Sequence, residues 1–241
     1  MPEQGSATDA SERPGMRRPP AHAMERSGAF GWLKEIALIL LGALVIAVGA
    51  RMFVVQVYKI PSESMNDTLR VGSRIAVNRI PVLGKQVERG DVVVFEDAEG
   101  WLPATGGASN PFRGLGEFLG LVPADGAQVV VKRVIGVGGD TVSCCDAQGR
   151  LTVNGVAIDE PYVLGGGGGS TEFEVVVPDG KLWVMGDNRR NSADSAYHHL
   201  RGDSAFIDQD AVIGRAWGEI WPLSQWSSLG DRDVFSEVPS R

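Results

Sequence analysis

Between Trp32 and Val57 the chain holds an almost unbroken apolar run, and residues 36–50 (IALILLGALVIAVGA) carry no charge at all. That length predicts a bilayer-spanning helix over 32–57. Lys34 and Arg51 then lie near its two edges, where long side chains can reach out to the interface. A cleaved secretory leader is the competing reading, with small residues between Ala43 and Ala50 as sites for the cut. A retained anchor is the reading adopted, because it keeps whatever follows attached to the bilayer. Residues 1–30 are the opposite in texture: Pro, Gly, Ser, Ala and Arg with few bulky apolar side chains, which predicts a disordered tail over 1–31.

Beyond the apolar run the period shortens. Arg74–Asn78 and Asp91–Phe95, preceded by Gly72 and Gly90, read as strands, as do Val129–Val137, Lys181–Met185 and Ala211–Trp217. Leu151–Ile158 reads as a hairpin, because Asn154-Gly155 favours a type I′ turn. No alternation of helix and strand occurs, which argues against a parallel α/β sheet. The expectation is a mainly β, antiparallel sheet or barrel-like domain behind one N-terminal helix. Residues 99–127, rich in Gly and Pro around an apolar patch at 112–122, and the glycine run 165–170 read as insertions, the second as a flexible surface loop.

Charge and cysteine content narrow the classes. The 241-residue chain has a formal net charge of −7, which disfavours nucleic acid as a partner. An acidic domain also gains little from anionic lipid, so attachment falls to the helix. Charge does not fix orientation: Arg17, Arg18, Arg26 and Lys34 precede the helix, but Lys59, Arg70 and Arg74 follow it. Cys144 and Cys145 are adjacent, without metal-ligand spacing, and are assigned no catalytic role. They can pair with each other if the domain lies outside the cytoplasm.

The candidate chemistry begins with Ser62 and Ser64, just past the apolar run. Ser64 lies about ten residues beyond it, within roughly 35 Å even for a fully extended linker. A serine hydroxyl needs a base. Histidine is a poor candidate: His22 is in the tail, and His198 and His199 are neighbours far downstream, so a Ser-His-Asp arrangement is undirected. Lys132 is better placed. On a strand it shares a face with Val130 and Val134, while Arg133 points away with Val131 and Ile135. An ammonium among valines is penalised by desolvation and loses its proton more easily. The alternative for Lys132 is a strand-edge lysine that discourages aggregation.

Four segments in order then resemble one family, the bacterial type I signal peptidases, which are Ser-Lys membrane proteases. Pro61-Ser62-Glu63-Ser64-Met65 resembles the nucleophile segment. Arg89-Gly90-Asp91-Val92-Val93-Val94-Phe95 resembles the substrate-side strand. Val131-Lys132-Arg133-Val134-Ile135-Gly136 with Gly139-Asp140 resembles the general-base segment. Met185-Gly186-Asp187-Asn188-Arg189 followed by Asn191-Ser192-Ala193-Asp194-Ser195 resembles the last motif. The resemblance runs from about Trp32 to Trp226. It implies Ser64 as nucleophile, Lys132 as general base, Ser62 as an oxyanion donor, Ser192 as a hydrogen-bond partner orienting Lys132, and Asp194 as support for its loop. Arg133 is then structural.

The same resemblance implies no cofactor and no metal, substrates that are exported preproteins with small residues at the first and third positions before the cut, and an apolar surface beside the lipid bilayer. It also implies a cytoplasmic tail (1–31), a membrane helix (32–57) and an extracytoplasmic protease domain (58–241). Two positions depart from the pattern: Asp67 stands where a proline is common, and Ala196 stands where an arginine usually pairs with the aspartate. Arg189 or Arg190 is the expected substitute partner for Asp194. A catalytically silent relative acting in assembly, or a protease dedicated to one pilin-like substrate, are the other readings.

Overall fold

Valine-rich segments flanked by glycine turns build the domain, as the computed structural model describes it over residues 29–53, 55–79, 87–102, 129–169 and 171–239. Helix α1 spans Ala29–Phe53, 25 residues. The strands are β1 (Val55–Lys59), β2 (Arg74–Asn78), β3 (Val92–Glu96), β4 (Val129–Val137), β5 (Thr141–Cys144), β6 (Leu151–Val153), β7 (Val156–Ala157), β8 (Phe173–Val176), β9 (Lys181–Met185), β10 (Ile207–Asp208), β11 (Val212–Trp221) and β12 (Ser227–Ser228). A short helix α2, Ser195–Arg201, precedes β10. Contacts divide the chain into two units, 1–43 and 44–241.

The apolar run does not stay helical to Val57. Val55–Val57 belong to β1, which pairs antiparallel with β2, Val55 opposite Asn78 and Lys59 opposite Arg74. The Val-Gln-Val-Tyr alternation, with its β-branched residues, explains the switch from helix to strand. The side chains of α1 are described over 31–47, and there they are exposed. Among the described residues no helix is long and apolar enough to cross a membrane. The stretch 31–47 rises about 25 Å, short of the roughly 30 Å of a hydrocarbon core. The expected disordered tail and most of the first insertion, 103–127, lie outside the described residues.

The large sheet has eight strands in the order β1-β2-β11-β3-β4-β9-β10, with β12 added to β11. A second sheet has the order β7-β6-β5-β8. All the registered pairs are antiparallel. No pairing joins β1 to β10 among the described residues, so the architecture is two open sheets rather than a closed barrel. Strand β3 is buried at Val92, Val93, Val94 and Phe95 in succession. Val92 and Val94 join an apolar cluster with Ile60, Met65 and Leu69, while Val93 and Phe95 join another with Val130, Val134 and Trp101. A strand covered on both faces has no reason to alternate, which accounts for its unbroken run of valines. A third cluster, around Trp183, Ile135 and Phe173, involves residues of both sheets.

The Asn154-Gly155 turn forms as the dipeptide predicts, with φ of 53° and 80° at its two residues. Cys144 and Cys145 form a disulfide. The glycine run is tethered rather than loose: Gly168 N donates to the Gly149 carbonyl at 2.7 Å, and Gly168 O accepts from Arg189. A side chain at Gly168 would run into Leu151 at 2.8 Å.

Candidate active site

Three segments converge on one cleft, and each is held for a local reason. The turn 61–69 between β1 and β2 carries the serines. It closes on itself through Asn66 N to Glu63 O and Leu69 N to Met65 O, and Met65 and Leu69 anchor it in the apolar cluster beneath. Strand β4 carries Lys132. The loop after β9, residues 186–194, packs against the turn: Asn188 N donates to Ser64 O at 3.0 Å and Asn188 Nδ2 to Glu63 O at 3.1 Å. Gly186 makes this approach possible, since a Cβ there would collide with the Ser64 carbonyl and with Ser192 Oγ.

At the meeting point Lys132 Nζ lies 2.6 Å from Ser64 Oγ. Both residues are buried, Lys132 at 3% exposure. Desolvation by burial lowers the lysine pKa to about 8, against the opposing pull of the Asp194 and Asp187 charges. Near pH 8 the amine is therefore neutral about half the time, and the contact then runs with the serine hydroxyl donating to the nitrogen lone pair. Ser62 Oγ is 3.3 Å from Ser64 Oγ, within reach of the same reacting centre. The cleft around these groups is lined by Ile60, Pro61, Met65, Val131 and Trp101 among others.

That geometry is a serine hydroxyl beside a desolvated amine, and the comparisons with known proteins agree with it. A family model described as "Signal peptidase, peptidase S26" matches residues 33–221. The chain belongs to the signal peptidase family, peptidase S26. It is 35% identical to a probable signal peptidase I of Mycobacterium leprae, across 95% of this chain and 88% of that one. It is 37% identical to signal peptidase I of Mycobacterium tuberculosis, across 80% of this chain and 74% of that one. A crystal structure of a signal peptidase I from Enterococcus faecalis aligns at 25% identity over 54% of this chain and 95% of its own, with a TM-score of 0.34. As a signal peptidase the chain is a serine endopeptidase that processes signal peptides of preproteins.

The remaining expected site residues divide. Ser192 comes close to Gly186, but the expected hydrogen bond to Lys132 is not made: Ser192 Oγ is buried without a partner. Asp194 is buried beside the dyad, yet no cation pairs with it among the described residues. Its carboxylate accepts Gly186 N at 3.0 Å and caps α2 by accepting Ala196 N at 3.1 Å and Tyr197 N at 3.4 Å. The expectation that Arg189 or Arg190 replaces the missing arginine is therefore corrected. Arg189 pairs instead with the buried Glu160 at 2.6 Å, and Arg190 is exposed. The helix start supplies two N–H donors and Gly186 a third, where the family pattern supplies a guanidinium.

Sequence reasoning missed the residue that ties the site together. Asp187 is fully buried and accepts Arg133 through both oxygens, at 2.9 and 2.7 Å, while the Thr68 hydroxyl donates to it at 2.5 Å. One carboxylate thus joins the turn 61–69, strand β4 and the loop. A signal was present: Arg133 points away from Lys132 into a face of Val131 and Ile135, and a guanidinium buried there needs a buried anion. Among the described residues the Ser64 hydroxyl bonds with Lys132 and Ser62 and with neither His198 nor His199.

Proposed function

We propose that Ser64 and Lys132 form the catalytic dyad of this signal peptidase, cutting after small residues at the end of a signal peptide. The observation that carries this is the 2.6 Å contact between Ser64 Oγ and a lysine amine whose proton burial has loosened to a pKa of about 8. In the forward step the Ser64 oxygen bonds to the peptide carbonyl carbon as its proton passes to Lys132 Nζ. The oxyanion is met by the Ser64 N–H and the Ser62 hydroxyl. Collapse breaks the C–N bond, with the Lys132 proton passing to the leaving amine. Water, giving its proton to Lys132 Nζ, then adds to the acyl carbon; the bond to Ser64 Oγ breaks, the lysine returns the proton to that oxygen, and the acid product leaves.

The substrate reading also has support. The ladder from β4 to β3 covers residues 129–133, but the ladder to β9 begins at Arg133. Residues 129–132 therefore offer a free sheet edge among the described residues, ending at the base. An extended peptide added to that edge gains backbone hydrogen bonds and brings its carbonyl to Ser64. Small side chains suit a wall made by Ile60, Met65 and Val131, which stands directly against the nucleophile.

A membrane setting, with the tail cytoplasmic, one span and the domain outside, fits two separate features. The stretch 36–50 within α1 carries no charge, as a segment inside a hydrocarbon core requires. In the domain, Trp217, Trp221, Leu223 and Trp226 are all more than half exposed, the composition of an interfacial aromatic patch.

The test is cleavage of a preprotein by the full chain in detergent, with the new N-terminus sequenced. Ser64→Ala is expected to abolish the cut. Lys132→Arg should abolish it equally, because arginine keeps the charge but does not give up its proton. Rescue by arginine would refute lysine as the base, and activity surviving in Ser64→Ala would refute the nucleophile.

A further inference from the structure

Strand β4 presents two different walls to the cleft. Val129 and Val131 turn toward the cluster of Ile60 and Met65, while Val130 turns toward the cluster of Phe95 and Trp101. Phe95 is the cross-strand partner of Val130, and its ring meets Trp101 edge-on at 5.9 Å. Trp101 therefore stands level with Val130, about 7 Å along the strand from Lys132.

The indole is fixed from several directions. Its Nε1 donates to Ser204 O at 3.0 Å, and its ring stacks on His198 at 4.5 Å and 11°. The Asp97 carboxylate accepts the N–H groups of Trp101 and Leu102 at 2.8 and 2.7 Å. The 9% of Trp101 that stays exposed belongs to a residue lining the same cleft as Ser64 and Lys132. A side chain already immobilised in this way loses little entropy when a ligand packs on it.

Ile60, Pro61 and Met65 bracket Ser64 in sequence and line the cleft beside it. The substrate residue that supplies the attacked carbonyl has its side chain against that wall, and the third residue before the cut follows it there, because strand side chains alternate. The second residue points to the opposite wall. We propose that Trp101 is a specificity-determining residue that reads the second residue before the cut. This rests on the dyad reading above and goes beyond it, since small first and third residues leave the middle one unspecified. The indole favours an apolar or aromatic middle side chain, which covers it. It disfavours glycine, which leaves it wet, and aspartate, whose charge meets the negative face of the ring.

The experiment uses the full chain in detergent with signal-peptide-derived substrates. In one series the first and third residues are alanine and the second is Gly, Leu, Phe or Asp. In the other the third residue varies among Ala, Val and Leu. For each enzyme the ratio of kcat/KM between substrates is read, so that loss of active protein cancels. The wild-type chain is expected to prefer Leu or Phe over Gly at the second position by about tenfold. In Trp101→Ala that ratio should fall to within about twofold of unity. Trp101→Leu keeps apolar volume for the core if the alanine variant does not fold, and should lose most of the preference for Phe. An unchanged second-position ratio in the variants overturns the proposal, as does a change confined to the third-position series. A wild-type chain that cuts none of these peptides overturns the dyad reading itself.

Discussion

The loop between β9 and α2 carries two buried aspartates, and they are satisfied in opposite ways. Asp187 is paired with a guanidinium from a distant strand and a hydroxyl from the nucleophile turn. Asp194 is held by three backbone N–H groups, all within its own loop and helix start. The first brace is ionic and spans the fold. The second is local and leaves a net negative charge beside the base. Asp187 thus joins three segments of the site, while both aspartates, Asp194 the more strongly, oppose the loss of the Lys132 proton.

Breaking the ionic brace should have the largest effect. Among the described residues, Asp187→Ala leaves the fully buried Arg133 with the Gly90 carbonyl at 3.1 Å, the partly exposed Asp231 at 3.0 Å and the Tyr162 ring at 3.7 Å. Stranding one member of a buried pair costs about 3–5 kcal/mol. For a domain of this size the melting temperature should fall on the order of 10 °C. Cleavage should be lost as well, because the turn and the base strand share this anchor. A melting temperature within about a degree of wild type would show that Arg133 finds other partners, and the comparison would collapse.

The local brace should give a smaller and more selective effect. Asp194→Ala removes a helix cap worth about 1 kcal/mol and leaves the Gly186 N–H unpaired, so activity should fall at least about tenfold. Asp194→Asn separates charge from capping. An amide oxygen can still cap α2, but one of the two negative charges that hold the Lys132 proton is gone, leaving that of Asp187. The lysine pKa, about 8 in the wild type, should then drop. With Lys132 acting as the proposed base in its neutral form, the acidic limb of the pH–rate profile moves to lower pH. A limb that stays where it was, in a variant that still folds and cuts, would reduce Asp194 to a cap.

These two residues also mark how far the sequence could be read. Ser64 and Lys132 were legible because their chemistry leaves a local trace: a serine pair after an apolar run, and a lysine among valines. Strands bounded by glycine and at least five residues long were legible for the same reason. Strands β10 and β12, two residues each, leave no period to detect. Helix α2 was missed, although Asp194 before it and Gly202 after it, at φ 76°, are an ordinary start and stop. With that helix start in place, Asp194 has N–H donors where the arginine absent at Ala196 had implied a substitute cation. Asp187 and Trp101 were missed for another reason. Their surroundings draw on partners from Thr68 to Arg133, or from Phe95 to Ser204, that no local pattern brings together.

The smallest effect should come from restoring the arginine of the family pattern. Both Asp194 oxygens are already occupied by N–H donors, so a guanidinium at position 196 has little left to satisfy. It would also stand in the first turn of α2, where the exposed N–H groups already carry positive charge and a cation is disfavoured. Ala196 itself is half-buried against the cluster around Trp183, a poor setting for a longer charged side chain. Ala196→Arg is therefore expected to leave kcat/KM within about twofold of wild type and stability within about 0.5 kcal/mol, or slightly lower. A several-fold gain in turnover together with a higher melting temperature would mean that the helix start is an inferior substitute for the ion pair, and that the two aspartates want the same kind of partner after all.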